Sequence, residues 1–283
     1  MKDILALISP GKPFLPDTLN AMQIGHATAM RHLWLTAVVS LFARRGTGIR
    51  ILEVGSWMGN SVLTWGAAID RFIPGSGEIL CVDTWAPYLA ADDVNFDGAY
   101  KVMDKAASSE LAYSVFRHNA SCVSKKTRVD HVRGESKHVL PMLRDRAFDI
   151  VYVDGSHYYA DVVADLTEGK RLVADGGLLC GDDLELQMAE VDEGHLRANL
   201  DRDAVVDPQA RAPYHPGVTL AVAEVMGPVS SYTGFWAMRR DGEAFVPVDL
   251  AGASPFLPGH FGEEYRKTVL EWAKSSGFFQ KQG

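Results

Sequence analysis

From Arg50 onward, short apolar runs rich in β-branched residues alternate with longer stretches of mixed apolar and polar residues. "IRILEVG" (49–55) is a continuous apolar run that ends in a turn, the pattern of a strand buried on both faces of a parallel sheet. Comparable runs recur in "EILCVD" (78–83), "TRVDHVRG" (127–134), "FDIVYVD" (148–154) and "GGLLCGDD" (176–183). Helical stretches separate them, from Ser61 to Phe72, in the short "HVLPMLRD" and in "YYADVVADLTEGKRLV". Repeated strand–helix alternation predicts right-handed β-α-β units and one parallel sheet with helices on both faces. Farther on, "GVTLAVAEVMG" (217–227) reads as a helix, and "VSSYTGFWAMRRDG" (229–242) as two short strands around Thr233-Gly234. That pair is expected to close the sheet edge as an antiparallel hairpin, which makes a mostly parallel seven-stranded sheet.

The ends are helical additions to this core. "LWLTAVVSLFA" from Leu33 is about half the length needed to cross a bilayer and reads as a buried helix. One domain is expected, with a helical extension over 1–48, an α/β core over 49–245 and a tail over 246–283 that carries a helix in "FGEEYRKTVLEWAKS".

The formal charge of −8 over 283 residues lacks the basic footprint of a nucleic-acid binder. Lys125-Lys126 and Arg239-Arg240 read as solvated surface. "MKDILALISPGKP" is too short, and too soon broken by proline, to be a secretory signal, so no membrane partner is expected. Cys81, Cys122 and Cys180 are far apart and odd in number, as expected of reduced residues in a cytoplasmic protein. The apolar N-terminal helix is a candidate interface for a homo-oligomer.

Chemistry enters at the strand ends. "LEVGSWMGNSVLTW" places Glu53, Gly55 and Gly59 between the first strand and its helix, where glycines let the backbone approach a ligand closely. The spacing is G-x-x-x-G, which is neither the dinucleotide fingerprint nor a triphosphate loop. The next strand ends in Asp83, whose carboxylate can accept from both hydroxyls of a ribose. Strands four and five are joined by one helix and should be neighbours, about 4.8 Å apart, so Asp154 and the pair Asp182-Asp183 emerge side by side. Three crowded carboxylates repel one another unless a cation sits between them, and a hard ion such as Mg²⁺ suits oxygen ligands. Two alternatives stand beside this reading: Asp182 or Asp183 caps a helix, and Asp154 merely ends a strand in a turn with Gly155.

Glu53, Gly55, Gly59 and Asp83 together resemble the first two motifs of class I methyltransferases that use S-adenosylmethionine, and the match runs from about residue 50 to 185. The resemblance implies a Rossmann-like methyltransferase fold, a loop facing the methionine part and Asp83 on the ribose. "RGESKHVL" is similar to the segment that flanks adenine in small O-methyltransferases, which implies Gly134, Glu135 and Ser136 as neighbours. Ser61 and Asp154 are also expected beside the cofactor.

"DGSHYYADVVADL" followed by "GGLLCGDD" resembles metal-dependent O-methyltransferases of the macrocin and mycinamicin type, which modify sugar hydroxyls. That likeness implies Asp154, Asp182 and Asp183 as Mg²⁺ ligands and His157 as the base. Asp182 departs from relatives that carry Glu or another oxygen ligand there. The expected acceptor is a small hydroxylated molecule, such as a sugar. Cephalosporin-hydroxylase-like proteins carry similar motifs, so a metal-dependent hydroxylase and a metal-free methyltransferase stay open at this point. A cofactor-binding protein without catalysis does too. His131 and His138 read as structural, and His215 as a possible border of the acceptor pocket. The polar, aromatic region 86–100, with solvated Asp92 and Asp93, suits a lid.

Overall fold

The apolar runs all become strands, and the stretches between them become helices. In chain order these are α1 (His26–Ser40), β1 (Ile49–Val54), α2 (Asn60–Phe72), β2 (Gly77–Asp83), α3 (Ala99–Ser108), α4 (Leu111–Cys122), β3 (Thr127–Arg133), the short α5 (Ser136–Val139), β4 (Phe148–Val153), α6 (Tyr159–Leu172) and β5 (Val173–Leu184). After them come α7 (Glu193–Ala198), β6 (Val205–Val206), β7 (Pro213–Tyr214), α8 (Pro216–Met226), β8 (Ser230–Tyr232), β9 (Gly234–Asp241), β10 (Ala244–Pro247) and α9 (Glu263–Ser275). This computed structural model describes residues 8–14, 26–43, 46–89, 99–250 and 252–275. The expected lid falls partly outside the described residues, and Asp92 and Asp93 lie wholly outside them.

The main sheet runs β10-β9-β5-β4-β1-β2-β3, with β8 paired to β9. Strands β1 to β5 are mutually parallel, while β9 lies antiparallel against β5 and β10 antiparallel against β9. This is the expected Rossmann-like, mostly parallel arrangement, with eight strands instead of seven. The additional strand is β10, a four-residue and mostly exposed edge segment too short to show a periodic pattern. The strand order reverses between β1 and β4, and the segments that leave their carboxyl ends border one crevice.

The pleat explains why the central runs are apolar at every position. Ile51, Ile150, Tyr152 and Cys180 face one layer together with α1, α2 and α4, whereas Leu52, Val151, Val153 and Leu179 face the other together with α6 and α8. Leu33, Leu35, Ala37, Val38 and Val39 of α1 have no solvent exposure, because the helix packs against α2 and the sheet. The apolar stretch expected to serve a subunit interface is therefore occupied within its own chain. Among the described residues, no helix is long and apolar enough to cross a membrane. The cysteines are free, with Cys81 and Cys180 buried and Cys122 half-buried.

Candidate active site

The turn after β1 is built for close approach. Gly55 has φ 84°, and a Cβ there would lie 1.9 Å from the Asp154 carbonyl oxygen, so only glycine lets the β1 and β4 ends meet this tightly. Asp83 holds the same turn from the end of β2. Its Oδ2 accepts from the Ser56 and Trp57 amides, each at 2.8 Å, and its Oδ1 accepts from the Trp85 amide at 2.6 Å. Burial pushes the Asp83 carboxyl up, and these backbone donors pull it back only in part. Glu53 lies beneath the loop with no exposure, accepting from Ser56 Oγ at 2.7 Å and Trp65 Nε1 at 3.0 Å.

Beyond the loop opens a cleft of about 740 Å³. Gly55, Ser61, Asp83, Gly134, Glu135, Ser136 and Asp154 line it. Glu53 and Gly59 do not: Glu53 is sealed under the loop, and the Gly59 Cα faces Phe116 and Asn119 of α4. Ala86 to Leu89, the described start of the expected lid, form part of the wall. Trp57 and Trp85 also border the cleft, the largely buried Trp85 ring packing on Phe116 and Tyr113.

The acidic cluster depends on a backbone irregularity. Successive residues of a regular strand point to opposite faces, which would separate Asp182 from Asp183. The pairing of β5 with β9 shifts register between Gly181 and Leu184, and Asp183 adopts φ 62°. This bulge turns both carboxylates toward Asp154, and one oxygen from each of the three lies within 4.8 Å of the others.

A positive group does sit among them, and it is Arg31 of α1. Its Nη1 donates to Asp154 Oδ2 at 2.9 Å, its Nε makes ionic contact with Asp182, and its Nη2 lies 3.6 Å from Asp183 Oδ1. Only the Asp154 contact has hydrogen-bond geometry; the Nε is buried without a hydrogen-bond partner. Tyr152 adds a hydroxyl donor to Asp154 at 3.0 Å. Burial pushes Asp154 well above the usual carboxylate range and Asp182 up to about 6. Burial would do the same to Asp183, but His157 and Arg31 outweigh it and hold that carboxyl low. The sequence gives no local sign of Arg31, which stands 123 residues before its partner Asp154 in an apolar run.

His157 is held between two carboxylates, with Nε2 3.1 Å from Asp183 Oδ2 and Nδ1 2.9 Å from Asp203 Oδ1. Tyr88 donates to the same Asp203 oxygen at 3.3 Å, and His215 Nδ1 donates to the Asp203 carbonyl at 2.7 Å. Burial disfavours the charged imidazole, yet the two acids outweigh it and raise the His157 pKa well above its ordinary value. In this arrangement His157 is a donor to both acids, and it becomes a base only when Asp183 is engaged elsewhere. Asp203 is fully buried and was not singled out in the sequence, where "NLDRDAVVDP" reads as a polar loop. His215 borders the cleft. His131 packs on Trp85 and bonds Tyr113 at 2.9 Å, and His138 is exposed beside Glu135.

The donor set suits a divalent metal. Asp154, Asp182 and Asp183 offer hard oxygens, one from each lying within 4.8 Å of the others, the spacing that one ion needs.

Residues 52–184 match the family of methyltransferase domains. No curated protein sequence matches the chain. Among solved structures, the chain is similar to a calicheamicin methyltransferase, with 15% identity, a TM-score of 0.45 and coverage of 84% of this chain and 96% of that one. An apo structure of a TDP-rhamnose 3'-O-methyltransferase of calicheamicin biosynthesis gives 18% identity and a TM-score of 0.41, covering 74% and 79%. The cofactor-bound protein Rv0187 from MTB gives 15% identity and a TM-score of 0.45, covering 78% and 85%.

Proposed function

We propose that this chain, whose residues 52–184 match a family of methyltransferase domains, moves the methyl group of S-adenosylmethionine to a hydroxyl of a small acceptor with the help of a divalent cation. The carrying observation is that Asp154, Asp183 and His157 open into the same cleft as the glycine loop. A sugar or another secondary metabolite is the acceptor class in this reading, on the strength of the "DGSHYYADVVADL" and "GGLLCGDD" motifs.

Asp154, Asp182 and Asp183 would hold the cation, which supplies Lewis acidity that makes a hydroxyl proton easier to remove. Asp83 and Gly55 fix the loop that the methionine part would lie against. His157 takes the acceptor proton at Nε2 once Asp183 no longer claims that nitrogen, while Asp203 keeps Nδ1 protonated and the ring oriented. The acceptor oxygen then gains the methyl group, and the donor sulfonium leaves as a neutral thioether. The walls of the cleft contribute alignment, which counts heavily for an in-line transfer.

Calorimetry with S-adenosylmethionine, followed by a labelled-methyl screen of hydroxylated metabolites with Mg²⁺ or chelator, tests this reading. Binding of the donor and turnover that chelator abolishes are the expected results. Absence of donor binding overturns the cofactor assignment, and undiminished turnover in chelator removes the metal. Arg31 among the acids favours one second reading, metal-free transfer, and the chelator arm decides between the two.

A further inference from the structure

We propose that Arg31 is an internal cation of the carboxylate cluster, which a divalent ion must displace, so that metal binding releases the guanidinium into the cleft. The inference rests on the metal-assisted reading above and concerns what that ion meets on arrival.

Three observations carry it. Arg31 belongs to two places at once, since its guanidinium lies among Asp154, Asp182 and Asp183 while its side chain, 21% exposed, lines the cleft. The guanidinium and a dication cannot share the cluster, because like charges a few ångströms apart in a partly desolvated site repel strongly. Finally, Arg31 meets its three acids without the paired fork geometry open to a guanidinium. Arg133 in the same chain grips Glu110 with two parallel hydrogen bonds of 2.6 Å, the geometry in which a guanidinium binds a carboxylate best. Among the described residues Arg31 makes one side-chain hydrogen bond, to Asp154, while its charge is shared with Asp182 and Asp183. It neutralises charge without using its fork, which is the role of a placeholder.

Movement of this side chain does not require movement of its helix. Leu33, Leu35 and Val38 anchor α1 in the core, and the open side of Arg31 faces the cleft, where a path outward exists. The released guanidinium then stands beside the acceptor space, able to donate to an oxygen-rich molecule there. Metal binding and acceptor binding are linked through one side chain.

The test is Mn²⁺ binding to the full-length protein, stripped of metal, followed by electron paramagnetic resonance of the free ion. Arg31→Gln removes the competing charge at similar length, and it should bind Mn²⁺ at least tenfold more tightly than wild type. Arg31→Lys keeps the charge and should not gain. In chelator, Arg31→Gln should melt below wild type, and added Mn²⁺ should raise its melting temperature more than it raises that of wild type. Equal Mn²⁺ affinity in wild type and Arg31→Gln overturns the proposal and leaves the metal reading standing; so does weaker binding in a folded Arg31→Gln. No Mn²⁺ binding by any of the three proteins overturns both. A measurement on wild type alone covers a variant that fails to fold: saturating Mg²⁺ should shift the Arg31 Nε–H resonance toward that of an exposed arginine, and an unmoved resonance overturns the proposal.

Discussion

Asp203 Oδ1 accepts from His157 Nδ1 at 2.9 Å, across 46 residues of sequence and from a side chain with no solvent exposure. A buried acid on one ring nitrogen fixes the tautomer and the direction of the other. Asp203→Asn retains the shape and removes the charge. Turnover should fall by roughly 10- to 100-fold with little change in affinity for S-adenosylmethionine. Steady-state kinetics beside calorimetry checks this, and wild-type turnover would remove Asp203 from the mechanism.

Gly55→Ala should damage stability and cofactor binding together. The substitution places a Cβ at φ 84° and 1.9 Å from the Asp154 carbonyl oxygen, so backbone strain and overlap add. A loss on the order of 2–5 kcal/mol is expected. Chemical denaturation measures it, and calorimetry should show weakened donor binding in the fraction that folds.

Glu53 separates structure from contact. It accepts from Ser56 and Trp65 in the interior and does not line the cleft. Glu53→Gln exchanges one acceptor oxygen for a donor amide and should cost about 1–3 kcal/mol. Donor affinity measured well below the melting temperature should stay near wild type. A large loss of affinity without loss of stability would restore Glu53 to the binding surface.

Two buried groups should give stability opposite dependences on pH. Burial pushes Asp165 up to about 7, against a hydrogen bond with Ser136. Its unfolded value is ~3.9, so the folded chain holds a proton the unfolded chain has lost. That contribution is full below about pH 4 and is lost as pH rises through about 7. Burial lowers His260 to about 3. Its contribution is full above about pH 6.5 and is lost as pH falls toward 3. Thermal melts from pH 4 to 8 should show Asp165→Asn losing the alkaline decline and His260→Gln losing part of the acid one. An unchanged profile in either variant excludes that residue as the cause.

The sheet and most of the cleft were legible because buried parallel strands declare themselves as apolar runs and a single crossover helix makes β4 and β5 neighbours. Asp83 and Asp154, which line the cleft, followed from strand ends, whereas Gly134 and Ser61 came from the resemblance to the methyltransferase motifs. What could not be read depends on distance or on irregular backbone. Arg31 meets its acids only after α1 has docked, and Asp203 looks like one more solvated aspartate until the fold carries it under His157. Asp83 was expected to face a ribose, and its two amide contacts to the glycine loop, with a third to Trp85, are backbone facts with no side-chain signature. The fourth residue of β10 is a proline on an exposed edge, so no alternation announces that strand.

The register shift between Gly181 and Leu184 means that the chemistry here is written partly in residue count. Deleting or inserting one amino acid in that short span would preserve the inventory of acids, yet rotate one of the pair toward the opposite layer. Two sequences with identical "DD" dipeptides can thus differ in whether they own a binding centre at all. Spacing relative to Trp236, which pairs with Gly181, is the better identifier of kinship in chemistry.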